Sequence, residues 1–142
     1  MSSENVEIVR QLYDEHWARG DFSATAFFDP EVVYSRIGTA TPGMEGEWRG
    51  LDGMAAGTRE YFRAFSDLRI EAERIIDLGD DRVLVLTRQT GHGKLSGVPF
   101  DHLLGDLMTL KAGKIVAMDA YWHRTEALDA AGLTEQEAQA GF

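Results

Sequence analysis

The sequence predicts an α+β fold in which a cone-shaped, strongly curved and mostly antiparallel sheet packs on three helices of the N-terminal half. Helical periodicity dominates the first half of the chain, strand-like apolar runs dominate the second, and Gly- and Asp-rich turns separate those runs. The 142 residues, 44% of them hydrophobic, fit one domain over 1–142. A sheet curved over helices leaves a cavity, which is a usual place for a small molecule.

The predicted helices cover residues 5–19, 21–28 and 51–66. Ser2 or Ser3 is placed to cap the first helix, and Gly20 lies just past its end. Asp21 is placed to cap the second. Each of the two longer helices carries an apolar stripe at helical spacing, which predicts that one side of each faces the sheet.

The predicted strands cover residues 32–37, 68–77, 82–91, 101–110 and 114–123. The first is the β-branched run VVYSRI, and the Gly-rich stretch 38–50 that follows it is predicted as a loop. Short turns join the last four strands, which favours antiparallel pairing. Thr134 and Glu137 have the spacing of a capping box at the start of a short helical tail.

Composition and charge exclude several classes of function. A net charge of −10, with a pI near 4.7, argues against nucleic acid and anionic membranes as partners. The absence of cysteine excludes disulfides, thiolate metal sites and cysteine nucleophiles. No HxH or HExxH spacing indicates a metal site, and no apolar run reaches the roughly 20 residues of a membrane helix. Without a signal-peptide pattern at the start, we expect a cytoplasmic protein.

Asp106 and Tyr13 are the first candidates for a catalytic site. Asp106 interrupts the apolar strand LLGDLMTL, so burial is expected to raise its pKa and to let it donate a hydrogen bond. Tyr13 lies on the apolar stripe of the first helix, one turn before Trp17. The alternative is structural, because a buried tyrosine needs a polar partner and Asp106 would serve as one.

His102 and His16 are further catalytic candidates. His102 shares strand parity with Asp106 but lies about 13 Å from it along the strand, so the two would line one cavity at different depths. His16 is adjacent to the apolar stripe near Tyr13 and would serve as a base. A histidine satisfied at the boundary of the core is its alternative.

A wall of apolar side chains is expected around the ligand. Its predicted members are Trp17, Phe62, Met108, Met118 and Trp122, with plain core packing as the alternative for at least half of them. Arg88 shares parity with Leu84 and Leu86 and is expected to reach inward toward a ligand oxygen, or else to extend to solvent at the sheet edge. The stretch around Glu45, Glu47 and Trp48 is either an ordinary solvated loop or a cover for the cavity mouth.

Several stretches follow one another in the order of a known fold. They are VRQLYDEHWARGD (9–21), FFDPEVVY (27–34), WRGLDGM (48–54), GDDRVLVLTRQTG (79–91), SGVP (96–99) and GDLMTLKAGKIVAMDAYW (105–122). Their order and spacing resemble the nuclear transport factor 2-like superfamily, in the branch that holds ketosteroid isomerases and SnoaL-like polyketide cyclases. Because that superfamily hosts enzymes and non-enzymatic binders, the resemblance implies the fold more strongly than the function.

The resemblance also implies roles for particular residues. Tyr13 and Asp106 match the tyrosine and protonated aspartic acid that form the oxyanion hole of ketosteroid isomerases. The position of the isomerase base falls on Ser35, which cannot take a proton from carbon unaided and is retained only as a binding residue. The position of the cyclase base falls on Ala120, one residue from Asp119.

On this resemblance we expect a cofactor-free protein whose apolar cavity takes a small cyclic or polyketide-like carbonyl compound. As an enzyme it would transfer a proton beside the carbonyl, in an isomerisation or an aldol-type cyclisation. The base would be His16, His102, a ligand group or water. The alternative is a non-catalytic ligand-binding or accessory domain, which the serine at the base position favours. Epoxide hydrolysis is a third hypothesis, but it needs a carboxylate beside Arg88 that the adjoining sequence lacks.

A homodimer is expected through the outer face of the sheet. Such folds commonly associate in this way, and Ile115, Ala117 and Tyr121 are the residues assigned to that face.

Overall fold

A computed structural model describes residues 2–21, 25–38 and 45–139, and it contains one six-stranded open sheet with helices on both faces. Helix α1 continues without interruption into a π-helical turn over Leu12–His16 and a 3₁₀ turn over Trp17–Arg19. The elements in chain order are α1 Ser2–Gln11, β1 Phe28–Ile37, β2 Gly46–Arg49, α2 Gly50–Arg63, β3 Phe65–Asp77, β4 Arg82–Gly93, β5 Pro99–Lys111, β6 Lys114–Tyr121, α3 Arg124–Ala131 and α4 Glu135–Gln139.

The strand order is β2-β1-β6-β5-β4-β3, and every neighbouring pair is antiparallel except β1 with β6, which is parallel. The predicted α+β class with a curved, mostly antiparallel sheet is therefore confirmed. Two of the three expected N-terminal helices are seen, at residues 2–19 and 50–63. The third was predicted over 21–28, and its residues 22–24 lie outside the described residues, as do the side chains of Ser2 and Ser3 that were expected to cap α1. Of its described residues, 26 and 27 form a turn and Phe28 begins β1.

The sheet separates two apolar cores. Val83 and Val85 of β4 face the inner core under α1 and α2, whereas Leu84 and Leu86 face the outer core under α3 and α4. Because side chains alternate along a strand, a continuous apolar run is what a strand buried on both faces requires. The inner face of the sheet also carries the candidate active site described below.

Several boundaries differ from the sequence-based prediction. β1 begins at Phe28, so Pro30 lies inside a strand, at a point where β2 does not reach and the register with β6 shifts. Proline is tolerated there because its missing N–H is not needed by a neighbour. The predicted loop 38–50 contains β2, α2 ends at Arg63, and β6 ends at Tyr121.

The chain ends in two short helices over the outer face. At the start of α4 the Thr134 N–H donates to Glu137 Oε1 (3.0 Å) and the Glu137 N–H donates to Thr134 Oγ1 (3.1 Å). This reciprocal pair confirms the predicted capping box. Of the helices described, none is both long enough and apolar enough to cross a membrane.

Candidate active site

A cavity of about 40 Å³ opens on the inner face of the sheet, between α2, the 3₁₀ turn after α1 and five of the strands. That volume holds about three water molecules. Its apolar walls are Trp17, Phe62, Ile70, Leu104, Met118, Ala120 and Trp122. Its polar walls are Tyr34, Arg36, Thr58, Tyr61, Gln89 and Asp106. An apolar space with a few converging polar groups is typical of a small-molecule site.

Asp106 presents a carboxyl group to this cavity. It lies on β5 and is 3% exposed, and the Tyr13 hydroxyl donates a hydrogen bond to its Oδ2. Burial raises the pKa of Asp106 to about 6, and the hydrogen bond from Tyr13 opposes that rise. Burial, together with the charge of Asp106, raises the pKa of Tyr13, so this phenol remains protonated and remains a donor.

Tyr13 stands behind Asp106 rather than on the cavity wall. It lies in the π-helical turn, where consecutive residues Leu12 and Tyr13 are both completely buried. The wider turn of a π-helix is frequent at functional sites. The predicted pairing of Tyr13 with Asp106 is therefore seen, and the phenol's own donor is occupied by the carboxylate.

Arg36 brings a buried positive charge to the same cavity. Its side chain is 2% exposed, with Nη1 donating to the Gly57 carbonyl (2.9 Å) and Nη2 donating to Glu60 Oε1 (2.8 Å). Its guanidinium carbon lies 4.1 Å from the ring centroid of Trp48, a cation–π distance. These contacts offset the cost of burying the guanidinium and fix its position.

Asp106 and Arg36 face each other across a single alanine. Ala120 of β6 is in register with Asp106 of β5 on one side and with Arg36 of β1 on the other. Adjacent strands are about 4.8 Å apart, so the two backbones are separated by about 10 Å. The methyl group of Ala120 fills little of the space between a carboxyl group and a guanidinium.

Two buried phenols complete the polar lining. Tyr61 donates to Gln89 Oε1 (2.5 Å), and burial raises the pKa of both Tyr34 and Tyr61. The charge of Asp106 also raises the pKa of each phenol, which places both within electrostatic reach of that carboxylate. A molecule above Ala120 would meet a proton acceptor on one side and hydrogen-bond donors on the other.

The structure brings some predicted site residues to the cavity and leaves others away from it. Trp17, Phe62, Met118 and Trp122 line the wall together with Asp106. Met108 is completely buried in the inner core, in register with Met118, and does not reach the cavity.

Two residues expected in the site lie on the opposite side of the sheet. Ser35 is in register with Glu47 and Asp119, away from the face that carries Tyr34 and Arg36. Arg88 is exposed and makes two hydrogen bonds to Asp101 (2.9 and 2.6 Å). Of the two directions considered for Arg88, the structure shows extension to solvent and not the inward one, because Leu84 and Leu86, whose parity it shares, belong to the outer core.

The two histidines expected to act as bases are also outside the wall. His102 stacks on Trp122 with ring centroids 4.4 Å apart, and its Nε2 lies 2.6 Å from the Trp122 carbonyl oxygen. His16 lies 2.9 Å from the Asp21 carboxylate through Nδ1, at a partly exposed position. Neither ring faces the cavity.

One residue assigned to the dimer face is misplaced. Ile115 is completely buried in the inner core, because the register of β5 and β6 shifts between Thr109 and Leu110. Ala117 and Tyr121 are half-buried and do not line the cavity. The homodimer itself stays a prediction.

Five polar wall residues were not predicted from the sequence: Tyr34, Arg36, Thr58, Tyr61 and Gln89. Because Ser35 was assigned to the cavity face of the strand VVYSRI, its neighbours Tyr34 and Arg36 were assigned to the opposite face. The available signal was parity, because Val32, Tyr34 and Arg36 alternate together and an arginine in that series is a buried charge. Within the described ranges, no three metal-binding side chains come together.

The family model described as a SnoaL-like domain matches residues 9–118. Among curated proteins, none matches the sequence. The architecture also matches solved structures that are too distant in sequence to show more than the fold.

A putative SnoaL-like polyketide cyclase from Jannaschia sp. CCS1 has a TM-score of 0.70 at 21% identity over 93% of this chain and 94% of that one. TerC, co-crystallised with polyporic acid, has a TM-score of 0.72 at 18% identity, and the match covers 91% of this chain and 98% of TerC. A protein of ketosteroid isomerase-like fold from Catenulispora acidiphila DSM 44928, in complex with trimethylamine, has a TM-score of 0.65 at 16% identity over 90% and 94%. The family match covers most of the chain, and the fold agrees with it: the chain belongs to the SnoaL-like domain family.

Proposed function

We propose that the chain binds a small, largely apolar carbonyl compound in this cavity and that Asp106 transfers a proton at the carbon beside the carbonyl. The observation that carries the proposal is the Asp106 carboxyl group, completely buried, facing an apolar cavity and held by Tyr13. With a pKa of about 6, Asp106 is mostly ionised at pH 7 yet remains basic enough to accept a proton.

Groups of the cavity wall are placed to stabilise the negative charge that develops in such a step. As Asp106 takes the proton from the α-carbon, the C–H electron pair moves into the C–C bond and the carbonyl oxygen gains negative charge. The Arg36 guanidinium and the Tyr34 phenol, on the far side of Ala120, would stabilise that oxygen. Asp106 then returns the proton to the α-carbon, which gives proton exchange or epimerisation. Where a double bond adjoins the α-carbon, it returns the proton to the γ-carbon of the dienolate, which completes an isomerisation without any cofactor.

This assignment changes the roles expected from the sequence. Tyr13 and Asp106 were both expected to donate to the enolate oxygen, but the Tyr13 hydroxyl donates to Asp106. Under the proposal Asp106 is the catalytic base and Tyr13 is a positioning residue that orients its carboxylate. His16 and His102, which lie outside the cavity, have no step assigned.

The structural relatives support a small-molecule site, since one was crystallised with polyporic acid and another with trimethylamine. The size of this cavity limits the ligand, because typical ligand pockets measure about 300–1,000 Å³. A cavity of about 40 Å³ admits a ring only if wall side chains such as Phe62 or Trp122 turn aside.

The experiment is exchange of α-protons into deuterated water, followed by NMR over a panel of aryl and cyclic ketones. Asp106→Asn is expected to lower the exchange rate by about 100-fold or more. The matched control is Asp119→Asn, which removes a half-buried carboxyl from the other face of the sheet and is expected to exchange like the wild type. Binding of ketones without protein-dependent exchange would favour the non-catalytic ligand-binding alternative instead.

A further inference from the structure

A second space adjoins the cavity and shares two of its wall residues. Thr58 and Phe62 of α2 line both the cavity and a surface cleft of about 640 Å³. We call this space the entrance cleft; Gly20 and Asp21 form part of its opposite side. Because Thr58 and Phe62 border both spaces, a molecule held in the cavity would reach the entrance cleft past these two side chains.

The entrance cleft carries three cationic side chains. Arg59 and Arg63 lie one helical turn apart on α2, each directly after a residue that borders the cavity. Lys94 belongs to the hairpin between β4 and β5, and its backbone N–H donates to the Ala64 carbonyl (2.9 Å), which ties the hairpin to the end of α2. The three residues therefore converge from two separate parts of the chain.

Within the part of the chain that the structure describes, these cations have no acidic partner at salt-bridge distance. This holds although the chain has ten more acidic than basic side chains. One carboxylate, Asp21, lines the same cleft, and its Oδ2 lies 2.9 Å from His16 Nδ1. Among its described lining residues, the cleft thus has three positive charges and one negative charge on a strongly anionic protein.

We propose that the cavity's ligand carries an anionic group, such as a carboxylate, that is bound in the entrance cleft by Arg59, Arg63 and Lys94. This inference rests on the proposed function, since the apolar, carbonyl-bearing part of the ligand occupies the cavity. The cationic side chains bind the anion outside Phe62, while Asp106 faces the carbonyl part within. The arrangement selects keto acids over neutral ketones of the same shape.

The test compares one keto acid with its neutral ester. The probes are 4-oxo-4-phenylbutanoate and its methyl ester, which share the phenyl ketone and differ in the charge. Calorimetric titration of the wild type is expected to give a Kd about tenfold lower for the acid. The triple variant Arg59→Gln, Arg63→Gln and Lys94→Gln is expected to remove that preference and to leave the Kd of the ester unchanged.

The control is a second triple variant, Arg10→Gln, Arg69→Gln and Lys111→Gln. It changes the net charge by the same amount at exposed positions outside the cleft and is expected to keep the preference for the acid. Raising the salt concentration from 0.1 to 1 M shortens the Debye length from about 10 to about 3 Å and is expected to weaken binding of the acid alone.

Three results would overturn the inference: equal affinity of the wild type for acid and ester, an unchanged preference in the cleft variant, or no measurable binding of the acid. Exchange of α-protons is measured on the same samples. If the acid is preferred but its α-protons do not exchange, the proposed proton transfer fails while the anion site stands.

Discussion

At the scale of single residues, the contact between Tyr13 and Asp106 decides how the candidate site behaves. A buried carboxylate with one phenolic donor remains under-solvated, which is why burial outweighs the hydrogen bond in setting the pKa of Asp106. The protein therefore carries an energetic cost in its core that a purely structural aspartate would avoid. A buried carboxylate with a raised pKa is more typical of a functional site than of a residue that only supports the fold.

The first prediction concerns stability against pH. Burial raises the pKa of Asp106 from 3.8 to about 6, so between these values the folded chain binds more protons than the unfolded chain. Its free energy of unfolding consequently falls as the pH rises, by about 1.4 kcal/mol between pH 5 and 8. Urea unfolding of the wild type and of Asp106→Asn at both pH values isolates this contribution as the change in their difference. The free energy of unfolding of the wild type minus that of Asp106→Asn is therefore expected to fall as the pH rises. A value that is constant or that rises with pH would contradict the assignment.

The second prediction concerns the positioning role of Tyr13. Tyr13→Phe removes the donor to Asp106 and is expected to cost about 1–3 kcal/mol of unfolding free energy. Because that hydrogen bond lowers the pKa of Asp106, the midpoint of the exchange-rate pH profile is expected to move to higher pH. Tyr121→Phe is the control, since the Tyr121 hydroxyl makes no hydrogen bond to a described residue. An unmoved midpoint would leave Tyr13 with a structural role only.

Residues differ in how far the sequence could predict them. Asp106 was predictable because a carboxyl group in an apolar strand has few explanations other than a buried site. Arg36 was missed because its place depends on which face of β1 turns inward, and one wrong residue inverts that choice. The partner of His102 comes from the segment after β6, which no pattern local to β5 contains, whereas the partner of His16, Asp21, is only five residues away.

At the scale of elements, three neighbouring strands form the floor of the cavity. β5 supplies Asp106, β6 supplies Ala120 and β1 supplies Arg36, all in one row across the sheet. The helices act as the roof, with α2 contributing Thr58, Tyr61 and Phe62. Because Asp106 and Arg36 lie in one row, the distance between their backbones is set by strand pairing and not by side-chain flexibility.

The third prediction tests that row. Ala120→Val places two more carbon atoms between Asp106 and Arg36 and is expected to weaken ketone binding at least tenfold, because the cavity is only about 40 Å³. Ala117→Val adds the same group to the same strand away from the cavity wall and is expected to bind as the wild type does. Calorimetric Kd values for one aryl ketone are the measurement. Equal affinity of both variants would show that the ligand does not occupy the floor.

The fourth prediction concerns the packing of α3 on β5. A Cβ atom on Gly105 would overlap the Cβ of Ala127, so Gly105→Ala is expected to cost about 1–3 kcal/mol of unfolding free energy. Ala127→Gly alone is expected to cost about 1 kcal/mol through helix propensity. In the double variant the overlap is gone, so the combined loss is expected to be smaller than the sum of the single losses. Strict additivity in urea unfolding would contradict the close approach.

Elements were predicted to the extent that their own residues encode them. The apolar periodicity of the longer helices and of the last four strands was sufficient to place them to within a few residues. β2 was missed because Gly46–Arg49 is too short to show a pattern within the glycine-rich stretch 38–50. Its stability comes from pairing with β1 and from Trp48 stacking on Tyr34 (5.4 Å). Tertiary contacts of this kind override local preference.

At the scale of the whole molecule, the charge distribution differs from what the total implies. The net charge of the chain is −10, yet Arg59, Arg63 and Lys94 gather beside the cavity. The sequence could not show this grouping, because the hairpin that carries Lys94 meets α2 only in the folded chain. The fold class was predictable from periodicity and the family from the order of segments. The residues of the site were not, because they depend on which face of each strand points into the cavity.

The single parallel ladder has a consequence for motion. β1 and β2 are attached to the rest of the sheet only through β6, by the one parallel pairing, which is slightly weaker per residue than an antiparallel one. We therefore expect these two strands to detach together as the least stable unit of the sheet, so that their amide protons exchange with solvent before those of β4 and β5. Such an opening would withdraw Tyr34 and Arg36 from the cavity, giving a ligand a route to Asp106 that needs no movement of the central strands.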